Sequence, residues 1–268
     1  MSSADAPPAA GGGRGGRGGG GGGRGGAQAA RVTTTAGLNS YDLSLQYPDG
    51  VNFRSAIYWS GNGLSGPVGA PGTYTVRMTA GNASPLTTTV RVLKDPRTTA
   101  TDADLTEKFN FLIRIRDTVT AANNTVRTIR NVRYQVDSLR KVLSGAQLAA
   151  FETVANALID STRNVEEVLY QTKNEAGQDP LNFPIRLNNQ IGALSGFVAS
   201  SERRPAQQAY DVWNTLVPQL NTQLVRYSRQ MSLLLPRVNS ALKAAGQNDI
   251  VPSTDELPAD TVRRGPIP

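Results

Sequence analysis

Polar side chains that could take part in binding are concentrated in residues 170–189. The stretch reads YQTKNEAGQDPLNFPIRLNN and mixes acids, amides and two cations. These groups recognise partners through hydrogen bonds and ion pairs, but none of them can serve as both acid and base near neutral pH. The functional interpretation of the stretch is a recognition surface at one end of the helical region, with the candidate residues Lys173, Asn174, Asp179, Asn182, Arg186 and Asn189.

The alternative for the same stretch is an ordered connection between two helices. In that interpretation Asn182 caps the third helix and Pro184 lies near its first turn. Leu181 and Phe183 would then close the end of the hydrophobic core. Because the stretch lacks an acid–base pair, the structural interpretation is favoured over the recognition surface.

The composition excludes several classes of enzyme. The chain contains no Cys and no His, so it has no thiol nucleophile, no Cys/His zinc site and no triad with an imidazole base. Two carboxylates placed like those of a glycosidase are not evident either. We predict a protein that is not an enzyme, with no catalytic, cofactor-binding or metal-binding residues and no cofactor.

The elements that must position these side chains are helices. Between Thr101 and Leu143 apolar residues recur at spacings of three and four, a period of 3.5 residues that is typical of coiled-coil seams. Three more helices are predicted, one after Ser144, one opening near Pro184 and one opening near Pro205. Together they predict an antiparallel bundle of four helices over residues 101–245.

Two capping boxes mark the helix starts in the sequence. Thr101 is followed three residues later by Asp104, and Ser144 is followed three residues later by Gln147. In this pattern the first side chain accepts a hydrogen bond from the backbone of the third helical residue, whose own side chain reaches back. Both pairs are therefore expected to begin a helix.

Residues 31–95 alternate apolar and polar side chains with the period of two that is typical of strands. The runs 74–78 and 86–92 are joined through Gly81-Asn82 and predict a hairpin. Short strands separated by Gly and Pro indicate a small Ig-like antiparallel β-sandwich, which gives the α+β fold class. Trp59 is expected in the sandwich core; alternatively, it and nearby tyrosines form a platform for carbohydrate.

The two ends of the chain differ in composition from the middle. Residues 11–26 read GGGRGGRGGGGGGRGG, so residues 1–30 are predicted to be a disordered Gly/Arg linker. Arginines beside glycines also occur in RNA-binding segments, but this stretch has no aromatic residue and the linker is favoured. Residues 246–268 are rich in proline and are predicted to be a disordered tail.

The formal net charge of +7 is spread along the chain rather than gathered into one patch, which argues against a nucleic-acid partner. Basic residues beside the seam of the first helix could meet phosphates, but charges at such positions more often pair with acids on neighbouring helices. The basic residues are Arg116, Arg127, Arg130 and Lys141, and the candidate acids are Glu152, Glu166 and Glu167.

No targeting or membrane segment is evident in the sequence. Residues 1–10 lack the apolar core of a signal peptide. No window approaches the ~20 apolar residues that cross a bilayer.

Several stretches, in their order along the chain, resemble one family. They are GTYTVRM at 72–78, KDPR at 94–97, TDADL at 101–105, YQTKN at 170–174 and DPLNFPIRLNN at 179–189. Together they resemble the C-terminal region of bacterial BNR-repeat, sortilin-like β-propeller proteins, which are often labelled glycosyl hydrolase-like or sialidase-like. The resemblance covers residues 36–245, and the last run is its most specific part.

The resemblance implies an exported parent protein in which a propeller precedes a small Ig-like sandwich and a helical region. This chain has no Asp-box repeat of the S-x-D-x-G-x-x-W kind, so we expect the propeller to be absent and any hydrolase activity with it. The expected function is an accessory or scaffolding module for a protein partner or an in-frame propeller. Carbohydrate binding and RNA binding are the alternatives.

Overall fold

The computed structural model describes residues 36–257. Residues 36–45 fall in one compact unit and residues 46–257 in another. Residues 36–45 form no helix or strand and expose nearly all of their side chains. The predicted Gly/Arg linker, residues 1–30, lies outside the described residues.

The larger unit is mainly helical, and the predicted α+β class with an Ig-like sandwich is wrong. Its only sheet among the described residues is a two-stranded antiparallel hairpin. No stretch of the described helices combines the length and the hydropathy that a bilayer span requires. The elements are β1 (Gly72–Met78), β2 (Leu86–Val92), α1 (Asp102–Leu139), α2 (Gly145–Leu169), a short 3₁₀ helix (Asp179–Leu181), α3 (Leu187–Ala199) and α4 (Gln207–Ala244).

Helix α1 begins at a complete capping box and buries its apolar seam. Asp104 N donates to Thr101 Oγ1 at 3.1 Å, and Thr101 N donates to Asp104 Oδ2 at 2.9 Å. The second predicted box does not form, because the side chain of Ser144 makes no capping hydrogen bond at the start of α2. The buried seam residues of α1 include Leu105, Ile115, Val119, Ala122, Val126, Ile129 and Val136.

Helices α2 and α3 lie end to end and run antiparallel to α1. Glu166, late in α2, contacts Arg133. Asn188, at the start of α3, contacts Asn123, which lies further toward the beginning of α1. The unit therefore has an interrupted rod, α2 followed by α3, that covers α1 along its length.

Helix α4 runs parallel to α1 and packs mainly on the α2–α3 rod. Near the start of both helices, the Tyr210 hydroxyl donates to Glu107 Oε1 at 2.6 Å. Near their ends, Val238 shares a buried cluster with Val136. The helical region thus consists of three rods, and its core forms two successive clusters along them.

Residues 46–71, where sandwich strands were predicted, form an irregular segment laid against the helices. Val51 N donates to Thr120 Oγ1 at 3.0 Å, and Asn123 Nδ2 donates to Val51 O at 2.9 Å. Helix side chains thus satisfy backbone groups that a neighbouring strand would otherwise bond, so the alternating pattern does not build a sheet. The buried apolar anchors of the segment are Phe53 and Leu64.

Residues 246–257, predicted as part of a disordered tail, are fixed to the helices. Ile250 is 2% exposed and belongs to the second core cluster. Its backbone exchanges two hydrogen bonds with the side-chain amide of Asn239. Val251 makes the same kind of paired contact with the side chain of Gln135. These bonds align the segment with α1 and α4.

Candidate functional site

Trp59 lies in the irregular segment with its backbone held on both sides by Asn189. Trp59 N donates to Asn189 Oδ1 at 2.7 Å, and Asn189 Nδ2 donates to Trp59 O at 2.8 Å and to Gly61 O at 3.2 Å. Asn189 is 4% exposed, whereas Trp59 is 43% exposed. A buried amide therefore fixes the backbone of a residue whose indole faces solvent. The prediction that Trp59 lies in a hydrophobic core is wrong.

The preceding amide, Asn188, belongs to a second polar network under the same segment. Asn188 Nδ2 donates to Asn123 Oδ1 at 3.1 Å, and the Tyr58 hydroxyl donates to the same oxygen at 3.0 Å. Burial raises the pKa of Tyr58, although its hydrogen bond to Asn123 acts in the opposite direction. Tyr58 is therefore a neutral, inward-facing donor rather than part of an exposed platform.

The segment approaches α3 closely at two glycines. A Cβ built on Gly63 would lie 2.5 Å from Gly192 Cα, and one built on Gly192 would lie 2.5 Å from Asn62 O. Gly63 also has a φ of 68°, which favours glycine. Together with Asn188 and Asn189, this contact docks the segment on the first turns of α3.

The six residues of the predicted recognition surface do not share one role. Asn189 points inward to Trp59. Asp179 Oδ2 accepts from the backbone N–H groups of Glu175 and Ala176 at 2.6 and 2.7 Å. Those bonds hold the pKa of Asp179 below its usual range. The remaining members, Lys173, Asn174, Asn182 and Arg186, are exposed or partly exposed on the connection.

The structural roles predicted for residues of this connection are partly wrong. Asn182 follows the 3₁₀ helix and does not cap α3, whose N-cap is Arg186. Leu181 is 65% exposed and does not close the core. Phe183 is partly buried beneath the Lys173 ammonium, which lies 5.7 Å from the ring centroid.

The basic residues beside the α1 seam are largely engaged within the fold. Arg130 Nε contacts Glu166 Oε1 at 2.7 Å, and Arg133 Nη2 contacts Glu166 Oε2 at 2.6 Å. Arg133 was not among the predicted basic residues. The Arg130 guanidinium also lies over the rings of Phe53 and Tyr170, at 4.8 and 5.4 Å. This cluster ties the irregular segment to α1 and α2.

The other basic residues of that set contact different groups. Arg116 bonds Asp117 at 2.7 Å and the Pro48 carbonyl at 2.7 Å. Arg127 donates to Asn52 O at 3.4 Å. Lys141 is exposed after the end of α1.

A cleft of about 360 Å³ lies between the beginnings of α1 and α4. Its one carboxylate, Glu107, accepts from Tyr210 at 2.6 Å and pairs with Arg204 at 2.7 Å. Burial, followed by the hydrogen bond to Glu107, raises the pKa of Tyr210 to about 12. Arg114, at the rim, stacks 4.8 Å from the Trp213 ring centroid. The residues that line the cleft therefore include one carboxylate, which is paired with Arg204, and no second carboxylate beside it.

The β1–β2 hairpin has one apolar face and one polar face. Tyr74 pairs with Val90 and Met78 with Leu86, which places them on one face. Met78, Leu86 and Val90 are 57%, 64% and 44% exposed. Within the described residues the hairpin makes no substantial contact with any helix. Its apolar face is therefore partly exposed among the described residues, at Met78, Leu86 and Val90, while Tyr74, Val76 and Val92 are partly buried.

Comparison with protein families, with curated proteins and with solved structures finds no match for this chain. The resemblance to BNR-repeat, sortilin-like proteins therefore stays a prediction. Among the described residues, no group of three or more acids is placed to hold a metal ion.

One of these positioning residues, Asn123, is marked in the sequence by its place on an apolar stripe. Asn123 interrupts the apolar seam of α1, between Ala122 and Val126. A polar residue on a buried stripe indicates a specific hydrogen-bond partner. Nothing local, however, identified that partner as the segment around Val51, which lies 72 positions earlier.

Proposed function

We propose that this chain is a non-catalytic interaction module whose helical unit presents the β1–β2 hairpin to a partner protein. The exposed apolar residues Met78, Leu86 and Val90 of the hairpin support this proposal more than any other feature. The non-catalytic part of the proposal is supported by the absence of Cys and His from the sequence and by the pairing of Glu107, the one carboxylate of the 360 Å³ cleft, with Arg204. An accessory or scaffolding role is consistent with these features.

The partner element is a β-strand at the edge of another sheet. A two-stranded hairpin alone is marginally stable in water, and alternating faces are typical of a sheet packed on one side. Within the described residues no third strand pairs with β1 or β2, so each outer edge offers backbone donors and acceptors. A strand added there forms backbone hydrogen bonds with the hairpin, and its apolar side chains extend the apolar face.

Charge selects a partner protein over a second copy of this chain. The polar face carries Arg77 and Arg91, and residues 72–93 contain no acid. A sheet made from two such hairpins would carry four arginines and no acid on one face, and like charges placed opposite each other across a sheet are destabilising. The expected partner strand therefore carries Asp or Glu on the same face of the extended sheet as Arg77 and Arg91.

Site-specific photo-crosslinking in the native host tests this proposal. A photo-reactive phenylalanine replaces Thr88, which lies on the apolar face opposite Val76. A matched probe replaces Val212, which is 43% exposed on α4. We expect one dominant adduct from position 88, mapped by mass spectrometry to an acid-bearing β-strand and lost when Met78→Lys is added. The Met78→Lys variant should keep the circular dichroism of the parent chain.

Three results would contradict the proposal. They are equal adducts from positions 88 and 212, no adduct from position 88, and an adduct confined to a second copy. Sedimentation of the purified chain identifies the last case, because an adduct between two copies should be accompanied by a dimer in solution.

A further inference from the structure

We propose that the loop around Trp59 is a preorganised binding site for a neutral carbohydrate, separate from the hairpin surface. The exposed indole supplies a flat apolar face, which can pack against the C–H groups of a sugar ring. Aromatic rings with one open face provide large contact area at low conformational cost. Trp59 is 43% exposed, whereas the other tryptophan, Trp213, is 7% exposed.

The backbone beneath Trp59 is fixed more firmly than an ordinary surface loop. Asn189 bonds Trp59 N and Trp59 O at 2.7 and 2.8 Å, and the close contact of Gly63 with Gly192 docks the end of the loop. Ser60 has a φ of 61°, a conformation that non-glycine residues adopt only when their surroundings impose it. The indole is therefore presented without a large loss of loop entropy on binding.

The chemistry of the loop selects a neutral, hydroxyl-rich ligand. No charged residue occurs between Arg54 and Arg77. Ser60 is exposed directly beside Trp59 and offers a hydroxyl. Asn62 offers an amide whose oxygen already accepts from Leu64 N at 3.1 Å. Uncharged donors and acceptors beside an aromatic face match a sugar ring, whereas a charged peptide would find no counter-charge in this loop.

Glycan binding by the full chain tests the proposal. The probes are an array of neutral polysaccharides and, for calorimetry, the β-1,4-linked hexaoses of glucose, N-acetylglucosamine, xylose and mannose. We expect the wild-type chain to bind at least one of them. Trp59→Ala should lower that affinity by at least about tenfold, as expected for a central aromatic anchor. Trp59→Phe should retain part of it.

Phe197→Ala is the matched control. Phe197 is also a large aromatic residue and is 55% exposed, but it lies near the end of α3, two turns after Asn189. Its removal should leave sugar affinity unchanged. Urea unfolding of both variants shows that loss of binding is not loss of the fold.

A separate experiment tests whether Asn189 positions the loop around Trp59. Asn189→Asp keeps the shape of the side chain but removes the donor to Trp59 O and Gly61 O. We expect weaker sugar binding together with faster hydrogen exchange in residues 57–63. If this variant does not fold, the Trp59 variants still decide the proposal.

Three outcomes overturn the inference. No binding of any neutral glycan by the wild-type chain is the first, and equal affinity of wild type and Trp59→Ala is the second. The third is Trp59-dependent crosslinking to a protein without glycan binding, which would assign the loop to a protein surface. None of them bears on the hairpin, whose crosslinking test is independent.

Discussion

Gly63 and Gly192 meet backbone to backbone, and a side chain on either would overlap the other segment. A Cβ on Gly192 would lie 2.5 Å from Asn62 O. We expect Gly192→Ala to destabilise the fold by about 1–3 kcal/mol, because the docked segment must shift to admit the methyl group. Urea unfolding followed by circular dichroism measures the change.

Gly196, four residues later in the same helix, is the control for this prediction. A Cβ there would have nothing within 4 Å. Gly196→Ala should stabilise the chain by up to about 1 kcal/mol through helix propensity alone. Equal effects at the two glycines would show that the contact with Gly63 does not contribute to stability.

Glu166 is a buried carboxylate held between two arginines, and its removal should be costly. Its side chain is 2% exposed, while those of Arg130 and Arg133 are 24% and 29% exposed. Breaking a buried pair costs about 3–5 kcal/mol. We expect Glu166→Ala to lie near 3 kcal/mol because the arginines keep some access to water. Glu167→Ala, at the exposed neighbouring position, should change the unfolding free energy little.

The same carboxylate predicts a pH dependence. Burial alone raises the pKa of Glu166, but the charges of Arg133 and Arg130 outweigh it and lower the pKa below the ordinary value. A folded-state pKa below the unfolded value, about 4.3, stabilises the fold above the unfolded pKa. That contribution is lost as the pH falls through the folded pKa. The stability difference between wild type and Glu166→Ala should therefore be constant near pH 7 and shrink below about pH 4.

Thr101 and Ser144 provide a matched test of helix capping. Thr101 makes both bonds of a capping box at the start of α1, whereas the Ser144 side chain makes no capping bond at the start of α2. Thr101→Ala should cost about 1 kcal/mol. Ser144→Ala should stay within about 0.5 kcal/mol of wild type. Thermal and urea unfolding of the two variants give the comparison, and a larger loss at Ser144 would contradict the structure.

Ile250 closes the second core cluster from beyond the last helix. It is 2% exposed, whereas its neighbour Val251 is 67% exposed. Ile250→Ala should cost about 2–5 kcal/mol through lost burial and a cavity. Val251→Ala should have little effect, because Val251 bonds Gln135 through its backbone. An Ile250→Ala variant as stable as Val251→Ala would mean that residues 246–257 are not part of the fold.

The helices and the hairpin follow from local patterns of apolar and polar residues. A 3.5-residue stripe such as Ile115, Ala122 and Ile129 lies on one side of a helix whatever surrounds it, so its position on the inner side follows from local geometry. The pairing of β1 with β2 in a hairpin follows from the alternation on either side of Gly81-Asn82, whereas their register, with Met78 opposite Leu86, was not predicted. The capping residue Thr101 was likewise a local property, since its partner Asp104 lies within one turn.

The roles of residues 46–71 and 246–257 depend instead on contacts between distant parts of the chain. The alternating pattern in residues 46–71 predicts strands, but a strand needs a neighbouring strand, and the backbone groups of Val51 and Trp59 bond the side chains of Thr120, Asn123 and Asn189 instead. Such pairings join residues about 70 to 130 positions apart in the chain. No local pattern encodes them, because they depend on how the rods place their polar side chains. The direction of Asn189 toward Trp59, and with it the candidate site, is decided at that level.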